Sequence, residues 1–154
     1  MPRVLIVFLG GGAGATLRAV LLAGLNSWGA TSPVLLVNLL GASVLGFVYV
    51  LADEAGLLSS PARLFLAVGV LGGFTTFSTF GWGADLLIAQ GQAATAGVYL
   101  AASVGGGMLA VVAGLLIGRG LVSLLKPGAL AGARPGEVLA DLASIEAEDR
   151  TVSG

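Results

Sequence analysis

Four apolar stretches, residues 4–25, 33–52, 64–84 and 93–118, follow one another along the chain with short polar connections between them. Each is close to the roughly 20 residues that a helix needs to cross the hydrocarbon core of a bilayer. The connections read "NSWGATS", "DEAGLLSSPAR" and "DLLIAQGQ". None is long enough to hold a soluble domain, so neighbouring spans must run antiparallel. With 10% charged residues, 56% hydrophobic residues and a mean hydropathy of +1.02, the chain has too few polar groups to clothe a soluble globule. The expected fold is an all-α membrane protein: one transmembrane domain over residues 1–118 and a polar C-terminal tail over 119–154.

The first span has the apolar middle of a cleaved signal peptide, but Arg18 interrupts it and "GGGAGA" fills it, so it reads as a mature helix. Cysteine and histidine are both absent, which removes disulfides, thiol chemistry and the commonest metal ligands. A net charge of −1 argues against a nucleic-acid partner. In the tail, Pro135 opens a possible amphipathic helix with Val138, Leu139, Leu142 and Ile145 on one face.

Polar side chains inside a bilayer are costly, so their few positions carry information. Asn38 is followed by Gly41, Ser43 and Gly46, a small-residue seam that permits close helix approach. An amide facing that seam can bond a neighbouring helix for about 1 kcal/mol, and a lone Asn serves as such glue more often than as a ligand. Arg18 closes "GGGAGATLR", where Gly10 and Gly14 have the spacing of a tight helix crossing. It either snorkels to an interface or lines a wet vestibule that attracts anions. A nucleotide-type glycine loop is excluded there, for want of the strand and acidic ribose partner it needs. In the fourth span Tyr99 and Ser103 share a helix face, with Gly107 continuing the line.

The third span is the informative one. At its centre stands "GGFTTFSTFG", residues 72–81, with adjacent glycines, four hydroxyls and Phe74, Phe77 and Phe80 at every third position. Glycine weakens a helix and β-branched threonine crowds it, so Gly72-Gly73 and Thr75-Thr76 together license a break at mid-membrane depth. Backbone carbonyls freed there need protein, water or an ion to satisfy them. Aromatic rings carry positive edges, so they can meet an anion without a full positive charge to trap it, and hydroxyls can donate to the same anion. Ordinary core packing is the competing explanation of the phenylalanines.

The string "GVLGGFTTFSTFG" resembles the signature of the Fluc family of bacterial fluoride channels, also called the CrcB family. "GGGAGATLR" and "NLLGASVLG" resemble its first- and second-span motifs in the same order, so the resemblance covers about residues 4–118. It implies a passive, fluoride-selective channel with no catalytic residues, in a bacterial plasma membrane. Four helices, the third broken at its centre, would pair with a second copy as an antiparallel, dual-topology homodimer holding two pores. Carried onto this chain, the resemblance makes Phe77 and Phe80 the ring edges of the pore and Asn38 a hydrogen-bonding pore residue. It sets Ser78 and Thr79 in the hydroxyl-rich break, Arg18 at a vestibule, and Tyr99 and Ser103 on a polar track. The carbonyls of Gly72 and Thr75 would hold a structural sodium ion. Gly107 stands where the family can place another hydroxyl, and the tail has no counterpart.

A proton-coupled exporter of four short helices needs a membrane-embedded carboxylate, whereas Asp53 and Glu54 are expected in a loop and Asp85 at a span end. A structural subunit leaves "TTFSTF" unexplained, and an intramembrane hydrolase lacks a base for Ser78. A potassium-type filter would sit in a re-entrant loop rather than mid-span. The basic residues Arg3, Arg63, Arg119, Lys126 and Arg134 fall on the side of the termini, and "NSWGATS" and "DLLIAQGQ" carry none. That bias favours cytoplasmic termini and sits awkwardly with insertion both ways, so either a minority of inverted copies or an oppositely oriented homologue would complete the dimer.

Overall fold

A computed structural model of the chain describes residues 3–29 and 31–127. The tail helix expected from Pro135 therefore lies outside the described residues. Among the described residues, four helices are long and apolar enough to cross a bilayer: α1 (Arg3–Gly24), α2 (Ser32–Glu54), α3 (Ser60–Ala89) and α4 (Ala93–Leu125). No strand occurs among the described residues. A short 3-10 turn, Asn26–Trp28, joins α1 to α2, and Gly91, at φ 73°, turns the chain from α3 into α4.

Two backbone-to-backbone seams hold the helices together. Gly14 of α1 lies so close to the Val70 carbonyl of α3 that any Cβ would collide with it, and Gly10 meets the Phe65 carbonyl in the same way one turn earlier. Gly114 of α4 lies equally close to the Ser43 carbonyl of α2. Lipid chains are as apolar as leucine, so these helices gain nothing by hiding leucines from them; dispersion at close range is what associates them. Hence the exposed surface is rich in large apolar residues such as Leu109, Leu116 and Phe8, while Val37, Val50 and Val122 are the largest fully buried side chains.

The helix ends differ from those expected. Asp53 and Glu54 are not in a loop: they end α2 in a π-helical turn, Val50–Glu54. Asp53 pairs with Arg63 at the start of α3, and Glu54 takes a bidentate bond from Arg119 of α4, at 2.8 Å from Nε and 2.5 Å from Nη2. Neutralised in this way, Arg119 does not stop its helix. The apolar Leu121, Val122, Leu124 and Leu125 carry α4 on past the expected end at Gly118. Asp85 likewise lies within the helical part of α3, which continues to Ala89.

Candidate functional site

Helix α3 is interrupted where its threonines stand. A short helical turn, Ser60–Arg63, passes into a π-helical stretch, Leu64–Leu71, and one more α-helical turn, Gly72–Phe74. Thr75 (φ −76°, ψ 155°) and Thr76 (φ −146°, ψ 119°) are extended, and an α-helix resumes at Phe77–Ala89. The glycines therefore stay helical, with Gly72 at φ −63° and ψ −36°, and the β-branched pair takes the extended conformation it favours. Gly73 has another use, since its backbone lies against that of Gly11.

Each end of the break is tied down. The Thr75 hydroxyl donates back to the Leu71 carbonyl at 2.9 Å. Thr76 caps the second helical segment: its Oγ1 accepts the Thr79 N–H at 3.2 Å and donates to Thr79 Oγ1 at 3.0 Å, with Ser78 Oγ 3.2 Å away. Asn38 of α2 then bonds both faces of the same residue. Its Oδ1 accepts the Thr76 N–H at 2.8 Å and its Nδ2 donates to the Thr76 carbonyl at 3.0 Å. Arg18 of α1 donates from Nη1 to the Thr75 carbonyl at 3.1 Å. Because an uninterrupted helix would send the Thr76 N–H to the Gly72 carbonyl, the bond to Asn38 leaves that carbonyl without its helical donor.

Beside the break lies a groove of about 280 Å³ between α2, α3 and α4. Asn38, Thr75 and Thr76 form its polar wall, Phe77 and Phe80 its aromatic wall, and Ser103 and Gly107 its α4 side. The rings of Phe77 and Phe80 are 5.4 Å apart and inclined at 49°, and Phe80 stands in the same relation to Tyr99, at 5.4 Å and 45°. Phe80 and Tyr99 are buried, whereas Phe77 is 83% exposed on the protomer surface. The Tyr99 and Ser103 hydroxyl oxygens are buried without a hydrogen-bond partner among the described residues. Leaving such a hydroxyl unpaired costs about 1–3 kcal/mol, so a polar guest beside Ser103 would be welcomed.

Phe77, Phe80, Asn38 and Ser103 thus come together on one groove, and Tyr99 backs Phe80. Ser78 and Thr79 do not line it; their hydroxyls turn to the cap on Thr76. Arg18 grips the break, and Gly72 lies exposed on the protomer surface. Thr76, which the sequence marks as part of the break but not as a site residue, is the hub, holding Asn38 through its backbone and Thr79 through its side chain. A threonine immediately ahead of "FSTFGWGA" is the available sign, since it has the form of an N-cap.

Among the described residues no charged side chain lines the groove, and no group of acidic side chains is able to hold a metal ion. Chemically the site can offer ring edges, an amide and hydroxyls to a small anion. It offers no nucleophile activated by a neighbouring base.

Comparison with known proteins points the same way. The family model described as "CrcB-like protein, Camphor Resistance (CrcB)" matches residues 5–115. The fluoride-specific ion channel FluC of Rhizobium etli is 43% identical over 129 residues, covering 79% of this chain and 100% of the relative. The protein of that name from Chloroflexus aurantiacus is 39% identical over 126 residues, covering 77% and 97%. The one from Roseiflexus sp. is 38% identical over 126 residues, covering 80% and 98%.

Proposed function

The chain belongs to the CrcB family, and from that premise we propose that it is a fluoride-selective ion channel of the membrane, releasing fluoride passively and catalysing no reaction. The observation that carries the proposal is the groove itself, where two phenylalanine rings, an amide and an unpartnered buried hydroxyl face one space with no cation among them. A full positive charge in a low-dielectric site would hold an anion too tightly for passage, whereas ring edges and neutral donors give shallow, repeated attraction. Asn38 Nδ2 retains one N–H beyond its bond to Thr76, and Ser103 Oγ has its hydroxyl proton to give. A membrane potential negative inside then drives the anion outward.

The protomer surface supports pairing with a second copy. Phe77, a pore ring in this proposal, is 83% exposed, and Gly72 beside it is exposed too. An antiparallel homodimer, or a pair with an oppositely oriented homologue, would cover both and close two grooves. The same surface suits a structural sodium ion. The Gly72 carbonyl has lost its helical donor, and the Thr75 carbonyl, although it accepts Arg18, is turned out of the helix by its extended backbone. Two oxygens from one chain are fewer than a hard cation takes, so a two-fold related copy would have to supply the rest.

A proton-coupled exporter has less support. Asp53 and Glu54 are engaged with Arg63 and Arg119 at the end of α2, and Asp85 is exposed in the final turns of α3. The purified chain in liposomes should discharge a fluoride gradient while a matched chloride gradient persists. A fluoride electrode beside a chloride electrode reads the outcome, and equal efflux of the two anions would overturn fluoride selectivity.

A further inference from the structure

Away from the break, a second groove of about 380 Å³ runs between the first turns of α1 and the start of the π-helical stretch of α3. Val4, Val7, Phe8 and Leu64 form its walls together with Arg3, and the lining is wholly apolar, so Arg3 contributes its aliphatic stem. We propose that this groove is a binding site for one anionic phospholipid, with an acyl chain lying along the apolar walls and the headgroup phosphate on Arg3.

Three observations identify the occupant. The walls are apolar and open to the bilayer, with Val4 79% and Phe8 72% exposed, so a hydrocarbon chain rather than water is what meets them. Arg3 makes no ion pair among the described residues, while the carboxylates at this end of the molecule, Asp53 and Glu54, are already held by Arg63 and Arg119. A guanidinium carried on a stem that lines a hydrocarbon groove matches one molecule with both a phosphate and a tail, since guanidinium binds phosphate in a bidentate manner. In the copy that follows the Lys and Arg bias, with cytoplasmic termini, this end lies in the cytoplasmic leaflet, whose surface potential is negative. The site involves no residue of the fluoride groove, so it stands or falls separately from the channel proposal.

Native mass spectrometry of the full chain, offered phosphatidylglycerol or phosphatidylcholine with the same acyl chains, tests this. The wild-type protein should retain phosphatidylglycerol roughly fivefold more strongly, the preference expected for one basic residue near an anionic surface. Arg3→Gln should remove that preference and leave phosphatidylcholine retention unchanged. Val7→Trp, which fills the groove, should lower retention of both lipids at an unaltered melting temperature and oligomeric state. Equal retention of the two lipids by the wild-type protein, or an undiminished preference in Arg3→Gln, would overturn the proposal. So would stabilisation by inorganic phosphate alone, which would mark a soluble-anion site. Loss of oligomer in Val7→Trp without any change in lipid retention would assign the groove to a second protein chain.

Discussion

The α2–α4 seam and the break in α3 are both rich in small residues, yet the structure uses those residues in opposite ways. In the seam, glycine is there for what it lacks: Gly114 lets α4 touch the Ser43 carbonyl, and Gly46 does the same against Val111. At the break, Gly72 has nothing of its own protomer within reach of a Cβ, and the departure from helix falls on Thr75 and Thr76 instead. Close packing gives the seam its strength along its middle, and its polar contact, the Glu54–Arg119 pair, lies at its end. The break owes its shape to six polar side chains drawn from three helices, because its backbone cannot satisfy itself.

The seam should therefore be the more fragile to added bulk. In Gly114→Val the new Cβ would enter the space of a backbone carbonyl, which cannot rotate aside as a side chain can. The expected cost is at or above about 3 kcal/mol, enough to lose most folded protein, read as monodisperse yield after detergent extraction. Normal yield would show that the two helices can separate without penalty, and the contrast with the break would collapse.

The break should be fragile to chemistry at constant bulk. Phe77→Ile and Phe80→Ile keep apolar volume but remove the ring edges, so fluoride flux should fall by roughly tenfold or more, the consequence of about 1.4 kcal/mol of lost attraction. Melting temperature and oligomeric state should stay near wild type, most clearly for the exposed Phe77. Wild-type flux from both variants would make the rings packing residues, like those of the seam.

Asn38→Ala belongs to both regions, since it removes a side chain of α2 that completes the backbone of α3. It strips partners from the Thr76 N–H and carbonyl, in a residue only 7% exposed. A loss of about 2–3 kcal/mol is expected together with weakened transport, from thermal melting and liposome flux on the same preparation. A drop in flux with unchanged stability would mean that Asn38 acts on the ion alone and that the break holds itself.

How much of this the sequence announced follows from the range of each interaction. The spans were legible from hydropathy, and the Gly10–Gly14 face and the Gly41–Gly46 seam from their spacing, because both are local properties of one helix. The ends of α2 and α4 were not. Asp53 and Glu54 read as loop residues until Arg63 and Arg119 neutralise them, and Arg119 is 65 positions from Glu54. The break was legible as a region, but the sequence divided responsibility between glycines and threonines, and only the folded chain distinguishes them: Gly73 is needed against Gly11, leaving the bend to Thr75 and Thr76. Arg18 was left open between snorkelling and a vestibule. Its bond to Thr75, 57 positions away, joins α1 to the break, and no feature local to α1 encodes it.

The smallest effect on the protomer should come from Gly72→Ala, and that smallness is itself informative. A Cβ at Gly72 meets no atom within 4 Å, and its backbone is already helical, so alanine should be neutral or stabilising by up to about 1 kcal/mol through helix propensity. The same methyl group would stand beside the carbonyl proposed to hold sodium where a second copy approaches. In the wild-type protein the melting temperature should accordingly rise with sodium more than with a large organic cation at equal ionic strength, by mass action on the folded, paired state. In Gly72→Ala that sodium-specific increment should shrink while the melting temperature in the organic cation stays level or rises slightly. If sodium and the organic cation stabilise the wild-type protein equally, the freed carbonyl has no cation to hold. If instead Gly72→Ala unfolds the protein in either salt, then Gly72 is a packing glycine like Gly114, and the distinction between the two regions fails at the residue where it is sharpest.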